Sequence, residues 1–489
     1  MQKDPRPGSE PRTFKATALT NAQPSSVLND SNVFKTTNRS ADGILGIVVK
    51  ECASELAGIL TKLFNLSLSQ ASVPSCLKSA TIIPIPKKSS RDSLNDHRPV
   101  ALTPVITKCL ERLISNHIRT CLPTSFDPLQ LAYWGNRSTE DAIALTLHTT
   151  LSHLETRGSY VRMLFIDFRS AFNTIIPDIL ISKLLSLQIP PSTCHWIKDF
   201  LTNRPQHVQL GSHLSSSILL STSSPQGCVL SPLLYTLYTS DCTASHPSTA
   251  IFKFADDTTV VGFITDGEEA AYWAEVSNLS RWCSDNNLTL NIQKTKELIL
   301  DFTRHSHTHA PLLINGEHVD CVPSRFPGTI ISADLSWSAN TRALVKKAQQ
   351  RLHFLRVLRR CGLDHQKLLL AFYHCSVEST FTYSLSVWYA GSTAEDRKAD
   401  QRTINTAQRI IGCTLPSLEA ISRTRCLKRT AAILRDPTHP AHCLFDLLPS
   451  GRRFRSVKSY TTRLSNSFFP WAIRTFNTTA PFNPPHPHQ

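Results

Sequence analysis

The 489-residue sequence lacks an uninterrupted apolar run of the roughly 18 or more residues that cross a bilayer. It also lacks any Cys-x-x-Cys pair, because its fourteen cysteines are scattered singly from Cys52 to Cys443. A zinc knuckle or ribbon needs closely spaced thiolates and is not predicted. The cysteines are interpreted as small buried apolar residues in a reducing compartment. The opening twenty residues contain no apolar signal core, so we expect an intracellular protein that is not secreted.

Negative charge is scarce in the last third of the chain. The sequence contains 52 Lys+Arg against 37 Asp+Glu, a net charge of +15. Residues 341–489 contain 23 basic and 8 acidic residues and so carry the whole excess. Such asymmetry favours a polyanionic partner, either nucleic acid or an anionic membrane surface. The alternative is a solvated surface that only keeps the protein soluble.

The length suggests about three domain-sized units, and 41% hydrophobic residues suffice for a buried core. Residues 1–40 are rich in Ser, Thr, Asn and Pro and are predicted to be a disordered lead-in. The alternation of strands and helices in 160–335 predicts an α+β or α/β sheet domain. Apolar periodicity predicts helices near 44–68, 104–120, 139–155 and 339–361, and strands at 161–167, on both flanks of 248–264, and at 294–302.

Three aspartates on two predicted strands are the strongest chemical signal. Asp167 ends an apolar strand, while Asp256 and Asp257 lie at the tip of a predicted hairpin. Carboxylates at strand ends can converge on two Mg²⁺ ions, which clamp the attacking and leaving oxygens of a phosphoryl transfer. An isolated Asp-Asp pair is more often a plain turn signal. The three histidines of HSHTHA (His305, His307 and His309) resemble a metal-binding tract but lie in a polar loop.

Two further segments accompany the aspartates. SSPQGCVLSPLLYTLYTSD (223–241) places a Pro-Gln-Gly turn before an apolar helix. Its glycine permits close backbone approach to a substrate, and Gln226 can form hydrogen bonds to it. Downstream, NNLTLNIQKTKELIL contains Lys294 and Lys296.

In this order, the segments closely resemble the reverse transcriptases of LINE-type (non-LTR) retrotransposons. The motifs that carry the resemblance are IDFRSAFNTI, SPQGCVLSPLLYTLY, FKFADDTTVVG and LNIQKTKELIL. Upstream, TIIPIPKKSSRDSLNDHRPVALTPVITKCLERLI resembles the fingers of that family, and NRSTEDAIALTLHTTL resembles the segment before its palm. The resemblance covers about residues 40–480.

The resemblance implies an α+β, right-hand polymerase fold with a basic helical C-terminal region. The implied regions are fingers (41–158), palm (159–335), thumb (336–390), a basic C-terminal region (391–478) and a disordered tail (479–489). Neither an endonuclease domain nor a Cys/His knuckle is recognised. We therefore expect a truncated copy, or a polymerase whose endonuclease is supplied by another chain.

The resemblance also assigns the residues of the reaction. Asp167 and Asp256 are implied to be the main ligands of two Mg²⁺ ions, or of Mn²⁺ as an alternative, with Asp257 as the third active-site carboxylate. Lys294 is implied to protonate the leaving pyrophosphate, and Lys296 is the second candidate for this role.

Further residues are implied to bind the incoming nucleotide. Phe172, five residues after Asp167, stands where the family places the bulky side chain that screens the sugar 2′ position. Gln226 and Gly227 are implied to line the nucleotide pocket. The phosphates are assigned to positive side chains, namely Arg98 and either Lys87 or Lys88.

The predicted helix near 339–361 is strongly basic and is interpreted as a thumb element that binds the template and primer. Phosphate contacts of this kind supply affinity without sequence preference and depend strongly on salt. A membrane-bound amphipathic helix and a solvated surface are the alternatives. Residues 423–459 resemble the region after the thumb, which is expected to hold the element's own RNA. The thumb residues so assigned are Lys346, Lys347, Arg351, Arg356, Arg359 and Arg360.

The sequence thus predicts an RNA-directed DNA polymerase with an RNA template, a DNA primer and dNTPs as partners, without a membrane. Its expected location is the nucleus or a cytoplasmic ribonucleoprotein. Residues 39–43, 133–138 and 326–328 depart from the family's motifs, and Pro327 removes an amide donor from the primer-grip turn. These departures leave two alternatives open: an inactive, decayed copy that binds RNA or DNA without sequence preference, and a chain that does not fold.

Overall fold

The computed structural model describes residues 27, 42–87, 93–123, 126–303, 309–322, 324–326, 328–362 and 365–479. The chain divides into two units, which are described separately. The first contains the described residues up to Phe126, with Ser170–Ser240 and Asn286–Leu288. The second contains Asp127–Arg169, Asp241–Asp285 and the residues from Thr289 onwards. Apart from Val27 and Thr479, the predicted lead-in and tail lie outside the described residues.

The helices and strands that the apolar periodicity predicts are present near the predicted positions, although the helix predicted at 44–68 is divided into two at Cys52. The strands are β1 (Ala80–Pro86), β2 (His97–Leu102), β3 (Ser159–Ile166), β4 (Phe168–Arg169), β5 (Arg204–Leu210), β6 (His213–Leu214), β7 (Ile218–Leu220), β8 (Thr249–Phe254), β9 (Asp257–Thr265), β10 (Thr289–Leu290), β11 (Lys296–Leu300), β12 (Leu313–Ile314), β13 (Glu317–His318), β14 (Asp320–Cys321), β15 (Ser324–Phe326) and β16 (Thr329–Ile331). The helices are α1 (Gly46–Glu51), α2 (Ala53–Ser69), α3 (Ser75–Lys78), α4 (Val105–Cys121), α5 (Thr139–His153), α6 (Pro177–Ser186), α7 (Pro191–Leu201), α8 (Ser231–Tyr238), α9 (Ala270–Asp285), α10 (Ser338–Arg360), α11 (Gln366–Phe372), α12 (Ser379–Phe381), α13 (Leu385–Trp388), α14 (Ala394–Ile411), α15 (Leu418–Leu434), α16 (Thr462–Ser465) and α17 (Phe468–Thr479).

The first unit contains a sheet with the strand order β2-β1-β5-β6, in which β7 also pairs with β5. β1 and β2 are antiparallel, whereas β1 and β5 are parallel. Ala80, Ile82 and Ala101 form a small buried cluster on this sheet. In α7, the rings of Trp196 and Phe200 stack with their centroids 5.5 Å apart. This contact stabilises the helix along one face.

The second unit contains a sheet with the order β14-β11-β3-β9-β8. Every residue of β3 is buried. Because successive side chains of a strand point to opposite faces, both faces of this strand are covered. Its neighbours β9 and β11 both run antiparallel to it. This central strand supports the carboxylate that follows it.

Helix α10 is the predicted basic helix. Ala348, Leu352 and Leu355 are buried on its apolar face, as the spacing predicts. α10 packs against α14 in the same unit. No helix in the described part of the chain is long and apolar enough to cross a membrane. The fourteen cysteines are all free thiols, but only six of them are buried, so their interpretation as buried residues is wrong for the others.

Candidate active site

The strand register of the second unit brings the three aspartates to one end of its sheet. β3 pairs with β9 so that Ile166 lies opposite Thr258. One step further along this antiparallel register, Asp167 comes beside Asp257. β8 and β9 form a hairpin in which Phe254 pairs with Asp257, so the turn consists of Ala255 and Asp256 alone. Asp257 therefore begins β9, whereas the sequence placed it within the turn.

The charges of this group act on one another. Partial desolvation, together with the negative charges of Asp256 and Asp167, raises the pKa of Asp257 to about 6. Burial and the charges of Asp256 and Asp257 raise the pKa of the Tyr133 hydroxyl to about 12. Tyr133 therefore lies close enough to Asp256 and Asp257 for their charges to act on its hydroxyl. Its position was not predicted, although it belongs to one of the stretches that depart from the family's motifs.

Asp167 is held by residues between β10 and β11. The Asn291 side chain donates from Nδ2 to Asp167 Oδ2 at 2.9 Å, and the Asn291 backbone amide donates to the Asp167 carbonyl oxygen at 2.8 Å. The Asp167 amide in turn donates to Thr295 Oγ1 at 3.4 Å. Both partners belong to the motif LNIQKTKELIL, where the sequence singled out only the lysines. The motif could have directed attention to the asparagine as well.

The two lysines of this motif occupy different surroundings. Lys294 Nζ lies 3.9 Å from Asp167 Oδ2, and the lysine side chain is 70% exposed. Lys296 Nζ instead pairs with Asp320 Oδ2 at 2.7 Å. Of the two lysines, Lys294 is therefore the one that lies beside Asp167, and its role in the reaction stays a prediction.

The donor chemistry of the three aspartates fits a hard divalent cation, which prefers oxygen ligands. Among the described residues, no three His, Cys, Asp or Glu side chains are gathered into a ready-made metal cluster. Mg²⁺ is commonly held by one or two carboxylates together with substrate phosphates. The aspartates thus suit a site that the substrate completes. His305 and His307 of the HSHTHA tract lie outside the described residues, and His309 contacts Asp301 at 3.1 Å.

In the first unit, Phe172 lies in a short 3₁₀ turn at Ala171–Thr174. Its ring packs against that of buried Tyr235, with centroids 4.8 Å apart. Its carbonyl oxygen accepts a hydrogen bond from the Ser224 amide at 2.9 Å. The Phe172 ring therefore packs against α8, and its backbone is bonded to the SSPQG segment at Ser224.

Gln226 and Gly227 lie against β2. The Ala101 amide donates to the Gln226 carbonyl oxygen at 2.6 Å. Gly227 has φ +119°, and a Cβ at this position would lie 2.5 Å from the Ala101 carbonyl oxygen. Only glycine fits this backbone conformation and this close approach. A cavity of about 310 Å³ beside this turn is lined in part by Pro99, Asn173 and Gln226.

Glu111 is a residue of this region that the sequence did not single out. It is fully buried on α4, and its Oε2 accepts a hydrogen bond from the Leu230 amide at 2.8 Å, at the start of α8. Burial raises the pKa of Glu111, while the Leu230 amide and the charge of Arg204 act in the opposite direction. In the sequence, Glu111 could have been noticed as a carboxylate among the apolar positions of a predicted helix.

The predicted phosphate-binding residues lie on the β1–β2 hairpin. Arg98 is exposed and pairs in register with Ile85. Lys87 follows the end of β1, and its amide donates to the Asp96 carbonyl oxygen at 2.7 Å. Lys88 lies outside the described residues.

The six predicted thumb residues on α10 fall into two groups. Arg351 donates to the Ser376 carbonyl oxygen and to Thr380 Oγ1. Arg359 donates to carbonyl oxygens at the end of α14. These two arginines contact neighbouring helices. Arg359 is itself exposed, as are the other four predicted thumb residues, Lys346, Lys347, Arg356 and Arg360.

Of the segments that depart from the family's motifs, the primer-grip turn lies between β15 and β16. Phe326 pairs with Thr329 across this turn, and Gly328 has φ +79°. Pro327 itself lies outside the described residues. β15 and β16 pair on either side of it.

Residues 85–355 match the family model described as "Reverse transcriptase (RNA-dependent DNA polymerase)". This region is more than half of the chain, and the chain therefore belongs to the reverse transcriptase family. The predicted α+β polymerase fold is confirmed by this match and by the mixed helices and strands. Residues 337–379 also match the model described as "Alkylated DNA repair protein alkB homolog 8, N-terminal", a stretch too short to define a family.

Three curated relatives come from mobile elements of Drosophila melanogaster. The chain is 27% identical to the probable RNA-directed DNA polymerase from transposon BS, with 71% of this chain and 40% of that protein covered. It is 28% identical to the polymerase from mobile element jockey, with 48% and 27% covered. For the probable polymerase from transposon X-element the identity is 24%, with 78% and 43% covered. The chain thus spans less than half the length of these relatives.

These names confirm the predicted resemblance to reverse transcriptases of non-LTR retrotransposons. Among solved structures, telomerase from Candida albicans in complex with a fragment of telomeric RNA matches with a TM-score of 0.36 and 13% identity, covering 76% of this chain and 66% of that one.

Proposed function

We propose that this chain is an RNA-directed DNA polymerase that extends a primer 3′-OH with dNTPs on an RNA template. The observation that carries the proposal is the meeting of Asp167, Asp256 and Asp257 at one sheet end, in a chain of the reverse transcriptase family. The primer 3′ oxygen attacks the α-phosphate of the nucleotide, and pyrophosphate leaves. Positioning and electrostatics supply most of the rate in such a transfer.

The three aspartates are assigned to two Mg²⁺ ions, with Mn²⁺ as an alternative. When bound, these ions would offset the negative charge that develops on the attacking and leaving oxygens. Asp257, whose pKa is about 6, is mostly ionised at neutral pH and available as an oxygen ligand. Asn291 holds the Asp167 carboxylate by its Nδ2 hydrogen bond.

The remaining assignments concern the nucleotide. Lys294, whose ammonium lies 3.9 Å from Asp167, is assigned as the proton donor to the leaving pyrophosphate. Phe172 is assigned to exclude a ribose hydroxyl, because its ring is held in place by Tyr235. Gln226 and Gly227 are assigned to the nucleotide pocket. Arg98 and Lys87 are assigned to the phosphates.

The nucleic-acid partners are assigned to the exposed basic side chains of α10. These side chains are exposed, whereas Ala348, Leu352 and Leu355 of the same helix are buried. Contacts of lysine and arginine with phosphates release counterions, so binding should weaken steeply as salt increases.

The test is primer extension on poly(rA)/oligo(dT) with Mg²⁺. The Asp256→Asn/Asp257→Asn double variant should lose incorporation, while its RNA binding stays nearly unchanged. Asp285→Asn is the matched control, because it removes an exposed carboxylate from the end of α9 in the same unit. It should keep full incorporation.

Two outcomes would contradict the proposal. Wild-type protein that binds nucleic acid with salt dependence, yet incorporates no nucleotide, would indicate an inactive binding protein. Incorporation that survives in the double variant would remove these aspartates from the reaction.

A further inference from the structure

A short segment before α5 runs along the edge of the catalytic hairpin. The Leu131 amide donates to the Lys253 carbonyl oxygen at 2.9 Å, and the Lys253 amide donates to the Leu129 carbonyl oxygen at 2.9 Å. Gln130 thereby forms a parallel bridge to Lys253 in β8. β8 is thus paired on one side with β9 and on the other with this segment.

A buried ion pair fastens the same segment. Lys253 Nζ lies 2.8 Å from Asp127 Oδ2 and donates to the Cys242 carbonyl oxygen at 2.9 Å. Both charged side chains are almost completely buried, with 2% and 3% exposure. Removing one partner of such a pair leaves an uncompensated buried charge, so the segment is held firmly in register with β8.

The Gln130 side chain reaches from this segment to the turn of the hairpin. Its Oε1 accepts hydrogen bonds from the Ala255 amide at 3.2 Å and from the Ala132 amide at 3.1 Å. Its Nε2 donates to the Ala255 carbonyl oxygen at 3.4 Å. The fully buried side-chain amide of Gln130 therefore forms hydrogen bonds to the peptide groups on both sides of Ala255.

Ala255 is an unfavourable residue for its backbone conformation. It has φ +59°, in the left-handed region, where a residue with a Cβ loses about 1–2 kcal/mol relative to the right-handed region. Beyond it, Asp256 and Asp257 add like charges near Asp167. Strain and repulsion both favour a rearranged turn, and the contacts from Gln130 oppose this rearrangement.

We infer that Gln130 is a positioning residue, which holds the hairpin turn so that Asp256 and Asp257 keep the direction required for their reaction. The effect on catalysis rests on the proposed polymerase function, whereas the contact itself does not. A glutamine suits this place because it offers both a donor and an acceptor without charge. A glutamate would keep the two accepted hydrogen bonds, lose the donated one and add a further negative charge.

The first experiment does not depend on activity. Hydrogen exchange is followed in peptides that cover residues 252–259 in the wild-type protein, Gln130→Ala and Gln130→Glu. We expect faster exchange at the hairpin in Gln130→Ala and a smaller increase in Gln130→Glu. Urea unfolding verifies that each variant is folded under the exchange conditions. Unchanged hairpin exchange in folded Gln130→Ala would overturn the inference.

Asn477 on α17 provides a matched control. Its side chain accepts from the Phe454 amide at 2.9 Å and donates to the Phe454 carbonyl oxygen at 3.0 Å, so it brackets one residue as Gln130 does. Asn477→Ala removes the same kind of contact elsewhere in the same unit. It should increase exchange around Phe454 and leave the hairpin unchanged. Equal exchange at the hairpin in both variants would indicate a general loss of stability and would also overturn the inference.

The second experiment measures the catalytic consequence by primer extension. Misplacement of reacting groups by about 1 Å can cost roughly 100-fold in rate, so we expect kcat of Gln130→Ala to fall about 10- to 100-fold. The KM for dNTP should change little, because the nucleotide contacts are assigned to other residues. Asn477→Ala should retain its kcat. An unchanged kcat in Gln130→Ala would overturn the inference, whereas an inactive wild-type protein would overturn the proposed function and leave the exchange result to decide the inference.

Discussion

Asn291 contacts Asp167 twice, through its side-chain amide at 2.9 Å and through its backbone amide at 2.8 Å. The side-chain contact sets the orientation of one carboxylate oxygen. Replacement by aspartate would turn a donor into a second negative group at the same place. The contact therefore provides a direct test of how far the reaction depends on the orientation of Asp167.

We expect Asn291→Asp to lower kcat by about tenfold or more, because the Asp167 carboxylate is repelled from its present orientation. Primer extension at saturating dNTP measures the change. Asn278→Asp, on α9 of the same unit, adds the same charge at an exposed position. Equal rates in both variants would show that the Asn291 contact is dispensable.

Phe172→Ala should relax the selection against ribonucleotides, since the ring packed on Tyr235 would be removed. The measurement compares kcat/KM for a dNTP with that for the matching ribonucleotide. Tyr235→Phe keeps the supporting ring and should keep the selectivity of the wild-type protein. A selectivity that survives in Phe172→Ala would exclude this residue as the gate.

Gly227→Ala should destabilise the first unit more than Gly211→Ala does. Both residues have positive φ, but nothing lies within 4 Å of a Cβ at Gly211, whereas the Ala101 carbonyl oxygen lies 2.5 Å from one at Gly227. Gly211→Ala should cost about 1–2 kcal/mol for its backbone conformation. Gly227→Ala should cost about 1–3 kcal/mol more for the clash. Urea unfolding distinguishes them, and equal costs would refute the steric explanation.

We expect the free energy of unfolding to depend on pH because of buried His148. Burial lowers its pKa to about 4, from 6.5. Between these pH values the unfolded chain binds a proton at His148 that the folded protein does not. The contribution of neutral His148 to the free energy of unfolding is therefore complete above pH 6.5 and is lost as the pH falls towards 4. The full difference is about 3 kcal/mol.

The measurement is urea unfolding at pH 7 and pH 5. His148→Phe retains a ring beside Phe469, whose centroid lies 5.1 Å from that of His148, and should reduce the difference between the two pH values. The exposed His353→Gln should leave the difference in place. An undiminished pH dependence in His148→Phe would show that other groups cause it.

The two groups of basic residues on α10 should respond differently to substitution. Lys346→Ala/Lys347→Ala should weaken RNA binding and reduce the dependence of log K on log salt by about 1 for each lost phosphate contact. Arg351→Ala should instead lower stability, because it removes contacts to Ser376 and Thr380. Binding at several salt concentrations and urea unfolding separate the effects. A double variant with wild-type binding would exclude these lysines from the interface.

Several elements of the fold and site follow from local sequence alone. The β-branched flanks around Ala255-Asp256 predict the hairpin, and the apolar strand before Asp167 predicts β3. Helix α10 follows from apolar positions at helical spacing. These predictions succeed because periodicity and turn chemistry act between residues that are close in the chain. The boundaries of fingers, palm and thumb stay predictions.

The partners of the carboxylates could not be predicted in this way. Gln130 and Ala255 are 125 positions apart, and Asn291 is 124 positions from Asp167. Such contacts depend on strand register, which only the assembled sheet decides. The contacts of Arg351 and Arg359 with adjacent helices likewise depend on how the helices pack and not on the local sequence.

The sequence by itself determined the family, the order of the motifs and the identity of the three aspartates, because these are written in short segments. Tertiary structure decided which neutral side chains hold those aspartates and which basic side chains remain exposed. The physical reason is that a hydrogen bond requires donor and acceptor to meet within about 3 Å. For residues more than a hundred positions apart, only the packed strands and helices bring this about.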